Sequence, residues 1–124
     1  MSQVLAIAAG GAVGAVLRFW VSGGVYALVG RGFPYGTLAV NVSGSLIMGL
    51  LYVLMLDRMS LAPEWRAAIL IGLLGAFTTF STFSIETLNL IEQTAYLKAG
   101  LNMAVSVVAC LAAVWLGVLI GRQL

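Results

Sequence analysis

Apolar residues run almost without interruption along this chain, and the polar ones gather into a few short clusters that divide it into four stretches. A helix needs about 20 mostly apolar residues to cross roughly 30 Å of hydrocarbon. Four segments meet that length: about 4–29, broken only by Arg18; about 36–56, between Gly32-Phe33-Pro34-Tyr35 and Asp57-Arg58; about 67–95, after Ala62-Pro63-Glu64-Trp65; and about 98–121. The pattern predicts an all-α integral membrane protein, with residues 1–124 forming a single four-helix membrane domain. The first stretch lacks a basic leader and is too long for a signal-peptide core, so it is expected to be a retained span.

Composition agrees. Of 124 residues, 62% are hydrophobic and 8% charged, against roughly 25% charged in an average soluble domain. Exposed to water, such a surface would aggregate. With no histidine and one cysteine, a Ser-His-Asp set, a Cys-His pair and the usual zinc sites are excluded, which argues against an enzyme. Cys110 has no second cysteine to pair with. A net charge of +2 without a basic cluster argues against nucleic acid as a partner.

Charge placement bears on topology. Arg58, Arg66 and Arg122 fall on one face, and Arg31 and Lys98 on the other. Lys and Arg in short loops set orientation, and three against two is nearly balanced. The pattern suits a modestly biased N-in/C-in chain, and equally a chain that inserts both ways and pairs antiparallel. A lone four-helix bundle fills its interior with its own side chains, so an oligomer is expected. Gly10/Gly14, Ser45/Gly49 and Gly117/Gly121 are spaced for close helix contact.

Polar groups inside a span are costly and are candidates for function. Arg18 is one: it either snorkels to the interface or fixes a helix end and concentrates anions. Thr37, Asn41 and Ser45 share a helical face, with Ser43 nearby. They are either interhelical glue or donors to a desolvated ion, since the Asn amide donates where a carboxylate repels. In Gly72–Ser84 two glycines and five hydroxyl residues sit mid-span. Glycine and back-bonding hydroxyls weaken a helix, predicting a third helix broken near its middle, about Gly75 to Thr79. Irregular backbone at that depth must be buried in protein or line a polar cavity, and freed carbonyls suit a hard cation such as Na⁺. Phe77, Phe80 and Phe83 recur every three residues, as core or as ring edges facing an anion. Glu86, Asn89 and Glu92 follow, with Asn102 and Ser106 at i, i+4 on the fourth span. Glu86 lies about 12 Å past the break at 1.5 Å per residue, which favours a vestibule acid over a proton carrier.

Three of these motifs carry a resemblance. Gly14-x-x-x-Arg18-Phe19, Gly36-Thr37-Leu38-x-x-Asn41-x-x-Gly44 and Gly75-x-x-Thr78-Thr79-Phe80-Ser81-Thr82-Phe83-Ser84 together resemble the Fluc/CrcB fluoride channels over essentially the whole chain. The resemblance implies an antiparallel, dual-topology homodimer in a bacterial cell inner membrane, in contact with lipid. Each dimer would carry two pathways for passive fluoride export. It implies that Asn41 contributes to the pathway, that Phe80 and Phe83 form an aromatic box, and that Ser81 and Thr82 continue a polar track. It further implies a structural Na⁺ at the dimer centre on the carbonyls of Gly75 and Thr78. Arg18 and Glu86 take structural and vestibule roles. The alternative, a proton-coupled small multidrug exporter, needs a carboxylate in the first span, where this chain has Arg18 and no acid.

Overall fold

The computed structural model describes residues 2–124. Four helical rods are long and apolar enough to cross a membrane: Ser2–Val29, Tyr35–Arg58, Pro63–Glu92 and Tyr96–Gln123. The first is one helix, α1 (Ser2–Val29). Gly30 at φ +85° ends it in the left-handed conformation that glycine adopts without penalty. In the second rod, α2 (Tyr35–Val53) passes into a π-helical turn over Leu54–Arg58. The third rod is composite. It opens with α3 (Pro63–Arg66), where Pro63 stands at the first turn and Glu64 faces the positive helix end. A π-helical stretch over Ala67–Leu73 leads into α4 (Leu74–Phe77), and after two extended residues α5 runs from Phe80 to Glu92. The fourth rod is α6 (Tyr96–Gln123).

The rods begin and end a few residues from the hydropathy boundaries because local chemistry sets the ends. Pro63 starts the third rod four residues early. At the other end Thr94, at φ +59°, turns the chain while Gln93 N–H bonds Asn89 C=O and Ala95 N–H bonds Leu90 C=O. The first π-helical stretch carries the charged pair Asp57-Arg58 at its end, whereas Ala67–Leu73 is wholly apolar.

Loop hydrogen bonds fix which ends meet. Lys98 Nζ donates to the Gly32 carbonyl at 3.0 Å, joining the first and third connections at one end. Arg58 Nη2 donates to the Arg122 carbonyl at 3.0 Å at the other, where Ser2 Oγ also reaches Glu64 Oε1 at 3.4 Å.

Between the rods the packing is backbone against backbone. The main pairings are α2 with α6, and α1 with the first half of the third rod. A methyl group on Gly49 would overlap the Val114 carbonyl, and one on Gly117 would overlap the Leu46 carbonyl. Gly10 and Gly14 face the Ala68 and Leu73 carbonyls in the same way. Lipid supplies no hydrophobic drive between helices, so close approach and dispersion must do this work. The expected result is that Gly117→Ala lowers thermal stability in detergent by about 1–3 kcal/mol, the usual cost of overpacking. Gly23→Ala, which meets nothing within 4 Å, leaves it unchanged. Equal losses in the two variants would contradict this packing.

Candidate functional site

The third rod is interrupted near its middle, with fifteen residues before Thr78 and thirteen after Thr79. Thr78 (φ −80°, ψ 156°) and Thr79 (φ −151°, ψ 118°) are extended. Backbone groups freed at membrane depth need partners, since no water is there to supply them. Thr78 satisfies itself backwards, its N–H and its hydroxyl both reaching the Leu74 carbonyl at 3.1 and 3.0 Å. The Thr79 backbone is satisfied from another helix. Asn41 on α2 accepts from Thr79 N–H through Oδ1 at 2.7 Å and donates through Nδ2 to Thr79 C=O at 3.0 Å. One amide thus replaces both ladder bonds of that residue.

Past the interruption Thr79 caps α5, its Oγ1 accepting from Thr82 N–H at 3.2 Å. Its hydroxyl also donates to Thr82 Oγ1 at 3.0 Å and lies 3.4 Å from Ser81 Oγ. Gly44, one turn along α2 from Asn41, lets the interruption seat itself. A methyl group there would overlap Thr78 Cγ2 and come within 3.1 Å of the Phe77 ring.

The groove beside this junction has a volume of about 480 Å³ and is lined by Asn41, Gly44, Thr78, Phe80, Phe83 and Ser106 among others. Phe80 and Phe83 stand with ring centroids 5.3 Å apart and planes tilted by 48°. Phe80 is 76% exposed, and Phe77, the third ring of the stripe, is buried in the core. Sequence periodicity alone does not separate those two roles; the extended pair at Thr78–Thr79 does, by resetting the helical phase between Phe77 and Phe80.

The structure therefore brings Asn41, Thr78, Phe80 and Phe83 to one groove, with Ser81 and Thr82 joined to it through the Thr79 hydroxyl. Gly75 lies three residues before, exposed on α4. Arg18 is half-buried on α1 and lines neither this groove nor the polar cavity described next. Glu86 belongs to that second cavity, of about 330 Å³, together with Tyr26, Arg31, Asn89 and Lys98. Tyr26 Oη donates to Glu86 Oε2 at 2.9 Å, and the Arg31 guanidinium stacks 4.4 Å over the Tyr26 ring. Glu86 Oε1 is buried without a hydrogen-bond partner among the described residues. Sequence reasoning missed Tyr26, whose only signal is a phenol at the end of an apolar span. No three His, Cys, Asp or Glu side chains gather as a metal site among the described residues. A cation would have to rely on backbone carbonyls.

A family model described as CrcB-like protein, camphor resistance (CrcB), matches residues 5–118. A curated protein of Methylococcus capsulatus, named fluoride-specific ion channel FluC, is 60% identical over 122 residues, which are 98% of this chain and 54% of that protein. The chain thus spans about half the length of that relative. Proteins of the same name from Coxiella burnetii and Geobacter sulfurreducens are 54% and 50% identical, covering 98% and 100% of this chain and 99% and 100% of their own.

The Asn41 contacts predict a local effect. Asn41→Ala leaves Thr79 N–H and C=O unpaired at about 1–3 kcal/mol for each group, so the Thr79 amide should exchange hydrogen markedly faster while α6 amides keep their protection. Exchange at Thr79 as slow as in the unsubstituted protein would contradict the assignment.

Proposed function

The chain belongs to the CrcB-like family, and on that premise we propose that it is a fluoride-selective channel giving passive export of cytoplasmic fluoride, not an enzyme. The observation that carries this reading is identity of 50–60% to relatives named fluoride-specific channels, sustained over at least 98% of the chain. The groove beside Thr78–Thr79 then supplies a physical route. Fluoride is small and tightly hydrated, so a pathway must replace water with donors as it strips the ion. Ser81 and Thr82 provide hydroxyls, Asn41 retains a second amide hydrogen beyond the one given to Thr79, and the start of α5 turns unpaired N–H groups and its positive dipole end to the same place. Phe80 and Phe83 line the groove, and a phenyl edge, the positive part of the ring quadrupole, attracts an anion. No carboxylate lines the groove, which favours an anion there. Nothing on the first span offers the acid that a proton-coupled drug exporter requires.

The working unit in this reading is an antiparallel homodimer in a bacterial inner membrane, with two pathways. Support comes from the nearly balanced basic residues of the two ends and from a groove open on one side, where Phe80 is exposed. A structural Na⁺ at the dimer centre fits the end of α4. The last carbonyls of a helix lack intrahelical partners, and hard cations take oxygen ligands. One chain offers the carbonyls of Gly75 and Thr78, and a copy related by two-fold symmetry doubles the set. Glu86 acts as a vestibule acid in its polar cavity, and Arg18 has a structural role on α1.

Fluoride-electrode recordings of efflux from liposomes test the assignment. The unsubstituted protein should release fluoride without a proton gradient. Phe80→Ile and Phe83→Ile should each slow release roughly three- to tenfold, the equivalent of about 0.5–1.5 kcal/mol per ring, in protein that remains folded. Unaltered efflux in both variants would sink the aromatic role. For the cation, a dimer centre holding only water in saturating Na⁺ would refute the carbonyl site.

A further inference from the structure

The polar core of the molecule contains a second asparagine whose bonds the pathway residues do not use. Asn102 on α6 is 2% exposed, among the most fully buried large side chains of the fold. Its Nδ2 donates to Thr87 Oγ1 on α5 at 2.9 Å, and its Oδ1 accepts from Ser106 Oγ at 3.3 Å. Thr87 in turn donates to the Phe83 carbonyl at 2.7 Å. A continuous chain of hydrogen bonds therefore runs from Ser106, in the wall of the groove, through Asn102 and Thr87 to the backbone of Phe83. Thr87 uses its single proton on Phe83 and a lone pair on Asn102, so the hydroxyl is satisfied on both sides.

The position of Thr87 gives this chain its consequence. Phe80, Phe83 and Thr87 are spaced i, i+3, i+7 and share one face of α5. Apart from the Asn102–Thr87 bond and the half-buried Tyr26–Glu86 bond to α1, the helix is weakly held: only Thr87 and Leu90 are buried, and its packing falls mainly on α6. Ile85, Leu88 and Ile91 are exposed. Apolar contact with lipid does not resist rotation of such a helix about its own axis, whereas a directional bond between two buried groups does. With side chains reaching about 5–6 Å from the helix axis, a rotation of about 20° displaces a ring by about 2 Å. A shift of that size would spoil contact with an ion.

We propose that Asn102 and Thr87 are positioning residues of the fluoride pathway, their buried bond setting the rotation of α5 and so the placement of the Phe80 and Phe83 rings. The inference rests on the channel reading above. Asn41 fixes where α5 starts, and Asn102 fixes which way it faces, two turns further along. Neither Asn102 nor Thr87 needs to touch the ion.

The test is fluoride efflux from liposomes containing the full chain, with elution profile and helical content recorded for each variant. Thr87→Val keeps the shape and removes the hydroxyl, and Asn102→Leu keeps most of the volume and removes the amide. Each should slow efflux roughly three- to twentyfold, the range spanned by hydrogen bonds inside membrane proteins, with elution and helicity unchanged. Thr87→Ser, which retains the hydroxyl, should conduct as the unsubstituted protein does. The double variant should lose less than the two single losses combined, because both changes remove the same Asn102–Thr87 bond. Unaltered efflux in both single variants overturns the proposal, as does additive loss with Thr87→Ser as slow as Thr87→Val. The substitutions lie on different helices, so misfolding of one leaves the other decisive. Unsubstituted protein that retains fluoride overturns the channel reading and this inference with it. A conducting protein indifferent to the substitutions overturns the inference alone.

Discussion

Asn41 and the Thr79 peptide exchange two hydrogen bonds across the middle of the bundle, and the geometry of the groove follows from that exchange. A residue with extended backbone at membrane depth forfeits both ladder bonds, and lipid offers nothing in return. The carboxamide is the one side chain with an acceptor and a donor spaced to answer a peptide N–H and C=O together. With Thr79 held, α5 begins at a fixed point, capped by the Thr79 hydroxyl, and its first turn presents Phe80 and Phe83 to the groove. Gly44 completes the arrangement by letting α2 lie directly against Thr78 and Phe77.

Lipid as solvent inverts the usual division of labour. Few residues are buried, and large apolar side chains such as Phe19, Leu28 and Leu97 face outward. The rods adhere where glycines let backbones approach, at Gly10 and Gly14 against the third rod and at Gly49 and Gly117 between α2 and α6. Position along and around a helix is then specified by polar contacts, since dispersion alone has little directional preference. Asn41 with Thr79, Asn102 with Thr87 and Tyr26 with Glu86 each join two different helices. They are few because each polar group admitted to the interior costs desolvation, and the two asparagines are paired because an unpaired amide costs more.

Much of this was legible in the sequence. Four long apolar rods are a composition signal too strong to miss, and clustering hydroxyls and glycines between Gly72 and Ser84 mark unusual backbone. Asn41 stood out as a polar residue inside a span, but its partner did not. Nothing in the spacing says that the amide meets a backbone 38 residues away. Tyr26 and Glu86 are 60 residues apart, and their contact depends on how α1 and α5 are juxtaposed, which hydropathy does not encode. The π-helical turns at Leu54–Arg58 and Ala67–Leu73 were also invisible. A π-helical turn adds a residue without requiring any particular side chain: one of these ends in Asp57-Arg58 and the other is wholly apolar. Asn102 and Ser106 were visible as an i, i+4 pair; the third member, Thr87, required the fold.

In the proposed channel, the chemistry of the groove bears on selectivity. Hydroxyl and amide donors with ring edges favour a small anion that gains most from direct contact, and the lack of a fixed cation in the groove lining leaves no site to trap it. The most direct measurement is parallel efflux of fluoride and chloride from liposomes held at equal pH on both sides. A fluoride-selective path predicts rapid fluoride release with chloride retained. Equal release of the two ions, or release of neither, contradicts it.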